Sequence, residues 1–349
     1  MTAGPRPAPE PLLEEARSRL VANRPLEAGA LLDPLIERDP ANAEAWYLRG
    51  TAKLEANSPE QALPDLLRAV ALDASDPRRH FNLAVAHWRL NDVPRSVAAL
   101  KTAIAADPGF AQAREFLAQM GLDGEHYHLL LERIHRHLTP RTYLEIGVDR
   151  GVSFSHVDPA TIALGVDPDP HIEIALAPNQ RVFAETSDDF FARRDVSAEF
   201  GGRALDLAFI DGMHWFEFAL RDFINVERLC SRASTVLVHD VFPMSRDTAE
   251  RERKGAFWTG DVWRLIVLLK KYRPDLSVHT VAAPPSGLAV IRNLDPGSRV
   301  ITDALDVVVA EFMALDYSAI EDCRAEMLNL YANDWNAIRA LLERDPRVA

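Results

Sequence analysis

The 349-residue chain predicts two folds in tandem: an all-α repeat array, then a doubly wound α/β sheet. Three observations carry this expectation. Residues 9–110 divide into three units of 34 residues with matching small and large positions. Apolar strand-like runs recur from Tyr143 onward, several ending in a carboxylate. The first of these runs leaves through a glycine-punctuated turn, Glu145-Ile146-Gly147-Val148-Asp149-Arg150-Gly151.

With Pro9, Ala43 and Pro77 as first positions, the fourth positions are Leu12, Trp46 and His80. The eighth are Ala16, Gly50 and Ala84, and the twentieth Ala28, Ala62 and Ser96. Leu32, Leu66 and Leu100 follow, then Leu35, Ala69 and Ala103, and the units close on Asp39-Pro40, Asp73-Ala74 and Asp107-Pro108. Small residues let two antiparallel helices approach, larger ones fill the gap, and stacked hairpins share one core. Phe110–Met120 supplies a capping helix, and Trp46, Tyr47, His87 and Trp88 read as packing residues. The pattern resembles the tetratricopeptide repeat. Over residues 9–120 that resemblance implies a concave surface for a protein partner or for self-association.

Gly121-Leu122-Asp123-Gly124 reads as the linker into a domain spanning residues 121–298. Tyr127, Leu130, Ile134 and Leu138 mark one helix face, ending at Thr139-Pro140, with His128, His135 and His137 read as solvated or interdomain. The strand at Tyr143–Ile146 then enters its turn, where Gly147 and Gly151 permit close backbone approach to a ligand. A second strand, Leu164–Asp167, ends in a carboxylate about 20 residues past Gly147, the offset of a ribose-binding acid. The crossover between them leaves room for one or two helical turns around Val152–Val157. Arg181–Ala184 is the third strand, and in the loop after it Ser187 or Asp188 is a good cap for the Phe190-Phe191 helix.

The fourth strand, Leu205–Ile210, delivers Asp211-Gly212-Met213-His214, and a helix follows with Phe218, Phe223, Val226 and Leu229 inward. The fifth, Thr235–Val238, delivers His239-Asp240, so two strand ends bring carboxylates to the edge where open α/β sheets bind ligands. Phe242–Gly260 is a charged excursion (Arg251-Glu252-Arg253-Lys254). Trp258 within it, and Asp261 and Trp263 just after it, are candidate substrate contacts, Trp263 serving equally as an anchor for the helix Val262–Tyr272. Leu276–Val281 and Leu288–Ile291 form a closing hairpin. Residues 299–349 read as a helical tail, with Val300–Ala314, Ala319–Leu330 and a last helix capped at Asn333-Asp334.

The Glu145-Ile146-Gly147 start, the spacing to Asp167 and the later strands resemble the class I S-adenosylmethionine (SAM) methyltransferases. Within them the chain looks most like the macrocin O-methyltransferase and cephalosporin-hydroxylase-type group. The resemblance implies a seven-stranded sheet holding SAM through Glu145, Gly147, Gly151 and Asp167, with Ser187 and Asp188 by the adenine. It implies Asp211, His239 and Asp240 as ligands of a Mg2+-like ion, and Asp211, His214 and His239 as catalytic groups, His214 being the general base. The implied reaction is O-methylation of a sugar or natural-product hydroxyl on a small-molecule or glycan acceptor. A nicotinamide oxidoreductase is disfavoured, because Asp149 occupies the place of the fingerprint's second glycine. The other alternative is a repeat-based scaffold whose sheet binds SAM or another nucleoside without turnover; the presence of Asp211 and Asp240 favours an enzyme.

A net charge of −13 with no basic segment argues against nucleic acid or an anionic membrane as partner. Two cysteines, Cys230 and Cys323, cannot make a disulfide framework. Met1–Pro11 is Pro-rich without a leader-like apolar run, and no apolar stretch reaches membrane-span length, so a cytoplasmic protein is expected.

Overall fold

The computed structural model describes residues 9–343 except 91, 123 and 254–256. The Pro-rich start before Pro9, Asp123 of the linker, Lys254 of the excursion and residues 344–349 of the tail lie outside the described residues. The chain forms two compact units, divided between Leu117 and Ala118.

In the first unit, helices α1 (Pro9–Val21) and α2 (Pro25–Arg38), α3 (Ala43–Glu55) and α4 (Pro59–Leu72), and α5 (Pro77–Arg89) and α6 (Val93–Ala106) form three hairpins. Each hairpin begins on the first position of a sequence unit. The small positions Ala16, Ala28, Ala62, Ala84 and Ser96 are fully buried. A Cβ on Gly50 would lie 2.7 Å from Leu66 Cδ2, so the tight helix approach depends on that glycine. Trp46 lies under Arg49 at 4.8 Å and donates to the Pro40 carbonyl at 3.0 Å, as expected of a packing residue. Helix α7 (Ala111–Gly121) follows.

The second unit opens with α8 (Tyr127–Leu138) and β1 (Thr142–Ile146), then β2 (Ile162–Asp167), β3 (Gln180–Ala184) and the short helices α9 (Ser187–Arg193) and α10 (Val196–Glu199). It continues with β4 (Leu205–Ile210), α11 (Phe216–Leu229), β5 (Cys230–His239), α12 (Trp263–Tyr272), β6 (Ser277–Val281) and β7 (Leu288–Arg292). Helices α13 (Leu305–Met313) and α14 (Arg324–Met327), strand β8 (Leu330–Tyr331) and α15 (Trp335–Glu343) complete it. The β1–β2 crossover holds only a 3-10 turn at Phe154–His156, as its length requires.

The sheet order is β3-β2-β1-β4-β5-β7-β6-β8. Strands β1 to β5 pair in parallel, while β7 runs antiparallel to both β5 and β6. The sheet thus has eight strands where seven were expected. The tail turns at Asn329, which has a left-handed φ of 52°, and pairs Leu330 and Tyr331 with Thr280 and Val281 of β6. Successive residues of each strand face opposite layers. Leu144, Ile146, Ala208 and Ile210 pack with α11, α12 and α13 on one face; Tyr143, Leu207 and Phe209 pack with α8 and α15 on the other. Strand β5 begins five residues before the expected Thr235, so Cys230-Ser231-Arg232 already belongs to it. Among the described residues, no helix is long and apolar enough to cross a membrane.

Candidate active site

The strand order reverses between β1 and β4, and backbone hydrogen bonds hold the strand ends together there. Gly147 N–H donates to Val166 O and Asp211 N–H to Ile146 O, each at 2.8 Å. A cavity of about 670 Å³ opens over this point. That size and place are usual for a small ligand in an open α/β sheet.

At the β2–β3 end the wall is built by Gly147, Val148, Asp149, Asp167 and Thr186–Asp188. Gly147 has φ 85°, and a Cβ there would overlap the Asp211 carbonyl and lie 2.8 Å from Gly212 Cα. Gly151, with φ 83°, also lies in this turn. Asp167 accepts from the N–H groups of Val148 (3.0 Å) and Asp149 (2.9 Å) on one oxygen and Asp169 (2.9 Å) on the other. It therefore anchors the turn to β2 and keeps acceptor capacity for a ligand. Asp149 adopts φ 46°, tolerated by a short polar side chain. The helix cap is Thr186, whose hydroxyl accepts from Asp189 N–H at 3.1 Å, and neither Ser187 nor Asp188 fills that role. Asp188 pairs with Arg221 at 2.8 Å.

Glu145 does not line the cavity. Its side chain points into the other layer, where it accepts from the Tyr143 hydroxyl at 2.6 Å and from Ser153. Burial pushes it up to about 8, outweighing both hydrogen bonds. The folded state therefore holds this proton from about pH 4.5, where an unfolded glutamate releases it, up to about pH 8. Stability from this group is full below that window and is lost as pH rises through it, by a few kcal/mol. Denaturant unfolding should show the loss in the wild type and a much flatter profile in Glu145→Gln.

At the β4–β5 end, one ligand atom from each of Asp211, His214 and Asp240 lies within 4.8 Å of the others. His214 Nδ1 is 3.2 Å from Asp240 Oδ2 and 3.1 Å from the Trp258 carbonyl, while Nε2 is 3.8 Å from Asp211 Oδ1. Asp240 has a left-handed φ of 58° and accepts from the buried Ser286 hydroxyl. His239 was expected in the ligand set, but its Nδ1 lies 3.2 Å from Asp211 Oδ1 and its Nε2 lies 3.2 Å from Ser286 Oγ. Burial pushes His239 down, yet Asp240 and Asp211 outweigh that and hold it up at about 9. Burial would raise Asp211, but His239 and His214 hold it below the usual carboxylate range. Tyr127 stacks between His239 (3.8 Å) and His128 (4.2 Å), and all three line the cavity. Burial, followed by His126 and His156, pushes His128 down to about 4.

The three expected acceptor contacts are placed otherwise. Trp258 stacks on His214 with ring centroids 5.1 Å apart, and its N–H donates to the Glu250 carbonyl at 2.5 Å. Asp261 and Trp263 are wholly buried. Asp261 accepts from Phe216 N–H at 2.6 Å, from Arg251 at 2.9 Å and from Arg264, while Trp263 sits in the core. The cause is Gly260, whose φ of 62° turns the chain inward against His214; a Cβ there would lie 2.7 Å from His214 Cβ. Tyr127, His128, Phe218 and Ser286 were not expected at the site. Tyr127 and His128 sit in the first turn after the linker, where a helix N-terminus meets the sheet edge. Ser286 follows Pro284-Pro285 in the turn beside β5.

A family model for a methyltransferase domain matches residues 144–241, and one for tetratricopeptide repeats matches residues 13–77 and 81–127. Among solved structures, MamA is 23% identical over 32% of this chain and 65% of its own, with a TM-score of 0.31. MamA from Desulfovibrio magneticus RS-1 is 24% identical over 32% and 64%, also at 0.31. The first repeat domain of human RPAP3 is 19% identical over 32% and 87%, at 0.31. The chain spans just under two thirds of the MamA structures it matches. No curated protein matches it. The chain is a tetratricopeptide-repeat array joined to a methyltransferase domain.

Proposed function

We propose that the sheet domain transfers a methyl group from SAM to a hydroxyl oxygen of a small-molecule or glycan acceptor. The repeats, on this reading, hold a protein partner or a second copy of the chain. One observation carries the reaction: a single cavity runs from the glycine turn and Asp167 to the Asp211–His214–Asp240 cluster. Five aspartates line it against Arg150 and the imidazolium of His239, an acidic balance that suits a cationic sulfonium and a neutral acceptor.

The cradle fits SAM, because Gly147 lets the turn after β1 close against the Asp211 strand end, and the remaining acceptor capacity of Asp167 suits ribose hydroxyls. SAM supplies an electrophilic methyl on a sulfonium. His214 donates from Nδ1 to Asp240 or to the Trp258 carbonyl, which leaves Nε2 to accept the acceptor's proton. His239 and Ser286 fix the orientation of Asp211 and Asp240. The two carboxylates and one imidazole also fit a divalent ion, which would lower the pKa of the acceptor hydroxyl; an imidazole donor suits first-row transition ions better than Mg2+.

Calorimetric titration of SAM into the wild type, with and without Mg2+ or Mn2+, tests the reading. Binding in any of these conditions is expected, followed by methyl transfer in a screen of hydroxylated acceptors. Absence of binding in all of them overturns it. Binding without transfer to any acceptor moves the weight to a nucleoside-binding scaffold.

A further inference from the structure

Trp258 was expected to touch the substrate, and the structure gives it to His214 instead. The excursion that carries it is pinned beside the cavity. Arg251 forks onto Glu217, each bond 2.8 Å long, and its guanidinium lies over the Trp215 ring at 4.9 Å. Trp215 Nε1 donates back to the Arg251 carbonyl at 3.1 Å. Trp258 Nε1 donates to the Glu250 carbonyl, which sets the plane of its indole.

From that anchored position the segment grips His214 by ring, side-chain nitrogen and backbone. The indole stacks on the imidazole, with centroids 5.1 Å apart and planes inclined by 22°. The Trp258 carbonyl lies 3.1 Å from Nδ1. Asp261 N–H donates to the His214 carbonyl at 3.1 Å, an approach that only a glycine at 260 permits, since a Cβ there would overlap the same carbonyl.

These contacts determine where the imidazole hydrogen sits. Nδ1 faces two oxygens, the Trp258 carbonyl and Asp240 Oδ2 at 3.2 Å. A peptide carbonyl only accepts, and so does a carboxylate, so a lone pair on Nδ1 would oppose both. The hydrogen belongs on Nδ1. Nε2 lies 3.8 Å from Asp211 Oδ1, beyond hydrogen-bond reach, and keeps its lone pair.

We propose that Trp258 is a positioning residue for His214. Its ring face fixes the imidazole plane and its carbonyl fixes the tautomer, so that Nε2 is the atom presented to the cavity. The use made of Nε2, which takes the proton of the acceptor hydroxyl, rests on the methyl-transfer reading above; the state of the ring does not. Without the indole the imidazole is free to turn about its Cβ–Cγ bond, Nδ1 leaves the carbonyl, and the hydrogen redistributes between the nitrogens.

The test reads the imidazole nitrogens of the isotope-labelled full chain by long-range proton–nitrogen correlation. It is run at about pH 8.5, above the ordinary histidine range. The His214 pattern is the one missing from His214→Gln. The wild type should carry the hydrogen on Nδ1 alone. Trp258→Ala, which keeps the carbonyl and loses the ring, should shift the ratio about fivefold toward Nε2–H. Trp258→Phe, which restores a ring face, should return most of the wild-type ratio. Calorimetry with S-adenosylhomocysteine, whose place is the β2–β3 end, should give affinities within about threefold of wild type in both variants.

Hydrogen on Nε2 in the wild type, or on both nitrogens, overturns the proposal. So does an unmoved ratio in Trp258→Ala, or a shift in Trp258→Phe as large as in Trp258→Ala. Loss of S-adenosylhomocysteine affinity in the variants alone marks a general loosening and overturns it as well. Should Trp258→Ala fail to fold, Trp258→Leu, which fills space without a ring face, takes its place. If the wild type itself binds no S-adenosylhomocysteine, the SAM reading falls, and the tautomer ratios still decide the role of Trp258.

Discussion

Gly147→Ala should abolish SAM binding, with an affinity loss of at least about a hundredfold, and should lower the thermal midpoint by several degrees. The residue holds φ 85°, which costs a side-chain-bearing residue about 1–2 kcal/mol. The added Cβ would overlap the Asp211 carbonyl and meet Gly212 Cα at 2.8 Å. The turn cannot move aside freely, because Gly147 N–H is bonded to Val166 and Asp211 N–H to Ile146. Relief of the clash must open the β1–β4 crevice and displace Asp211, so both ends of the cavity suffer together. Calorimetry and thermal unfolding on the same preparation check this. Wild-type affinity in the variant would mean that the turn does not face the ligand.

Asp261→Ala is expected to cost about 3–5 kcal/mol, the range for removing one partner of a buried ion pair. In a unit of this size that lowers the midpoint by on the order of 10 °C. Asp261 has no exposed side-chain surface and accepts from Phe216 N–H, Arg251 and Arg264. Its loss leaves the first turn of α11 without that acceptor and Arg264 with less than its share of counter-charge. Asp261→Asn, which keeps an oxygen for Phe216, should lose less. Chemical denaturation measures the difference, and a loss below about 1 kcal/mol would mean that water replaces the carboxylate.

The repeats were readable because a period of 34 residues fixes which positions meet, and burial of Ala16, Ala28, Ala62 and Ala84 follows that register. Strands β1, β2, β4 and β7 were readable because β-runs buried on both faces are largely apolar, whereas the only partly buried β3 and β6 were readable as short mixed runs. Strand β8 was not, since two residues carry no periodicity and their pairing depends on where β6 already lies. At the site, strand ends placed Asp211, His214, His239 and Asp240 on one edge, but side-chain direction divided their roles. His214 turns toward both aspartates, while His239 is held between Asp211 and Ser286. Asp261 and Trp263 looked like cleft residues because they follow an aromatic, charged excursion; one left-handed glycine, Gly260, turns them into the core. Tyr127 and His128 had no catalytic signature, and only the docking of α8 on the sheet brings them to the cavity.

The pairing of Leu330 and Tyr331 with β6 has a consequence for how the molecule behaves in company. Thr280 N–H bonds to Asn329 O and Ala282 N–H to Tyr331 O, so polar groups that would face outward from β6 are already taken. A long bare rim strand invites a second chain to add itself, and repetition of that event builds fibres. Here the sheet stops on a strand of only two residues, which offers a newcomer almost no ladder to extend.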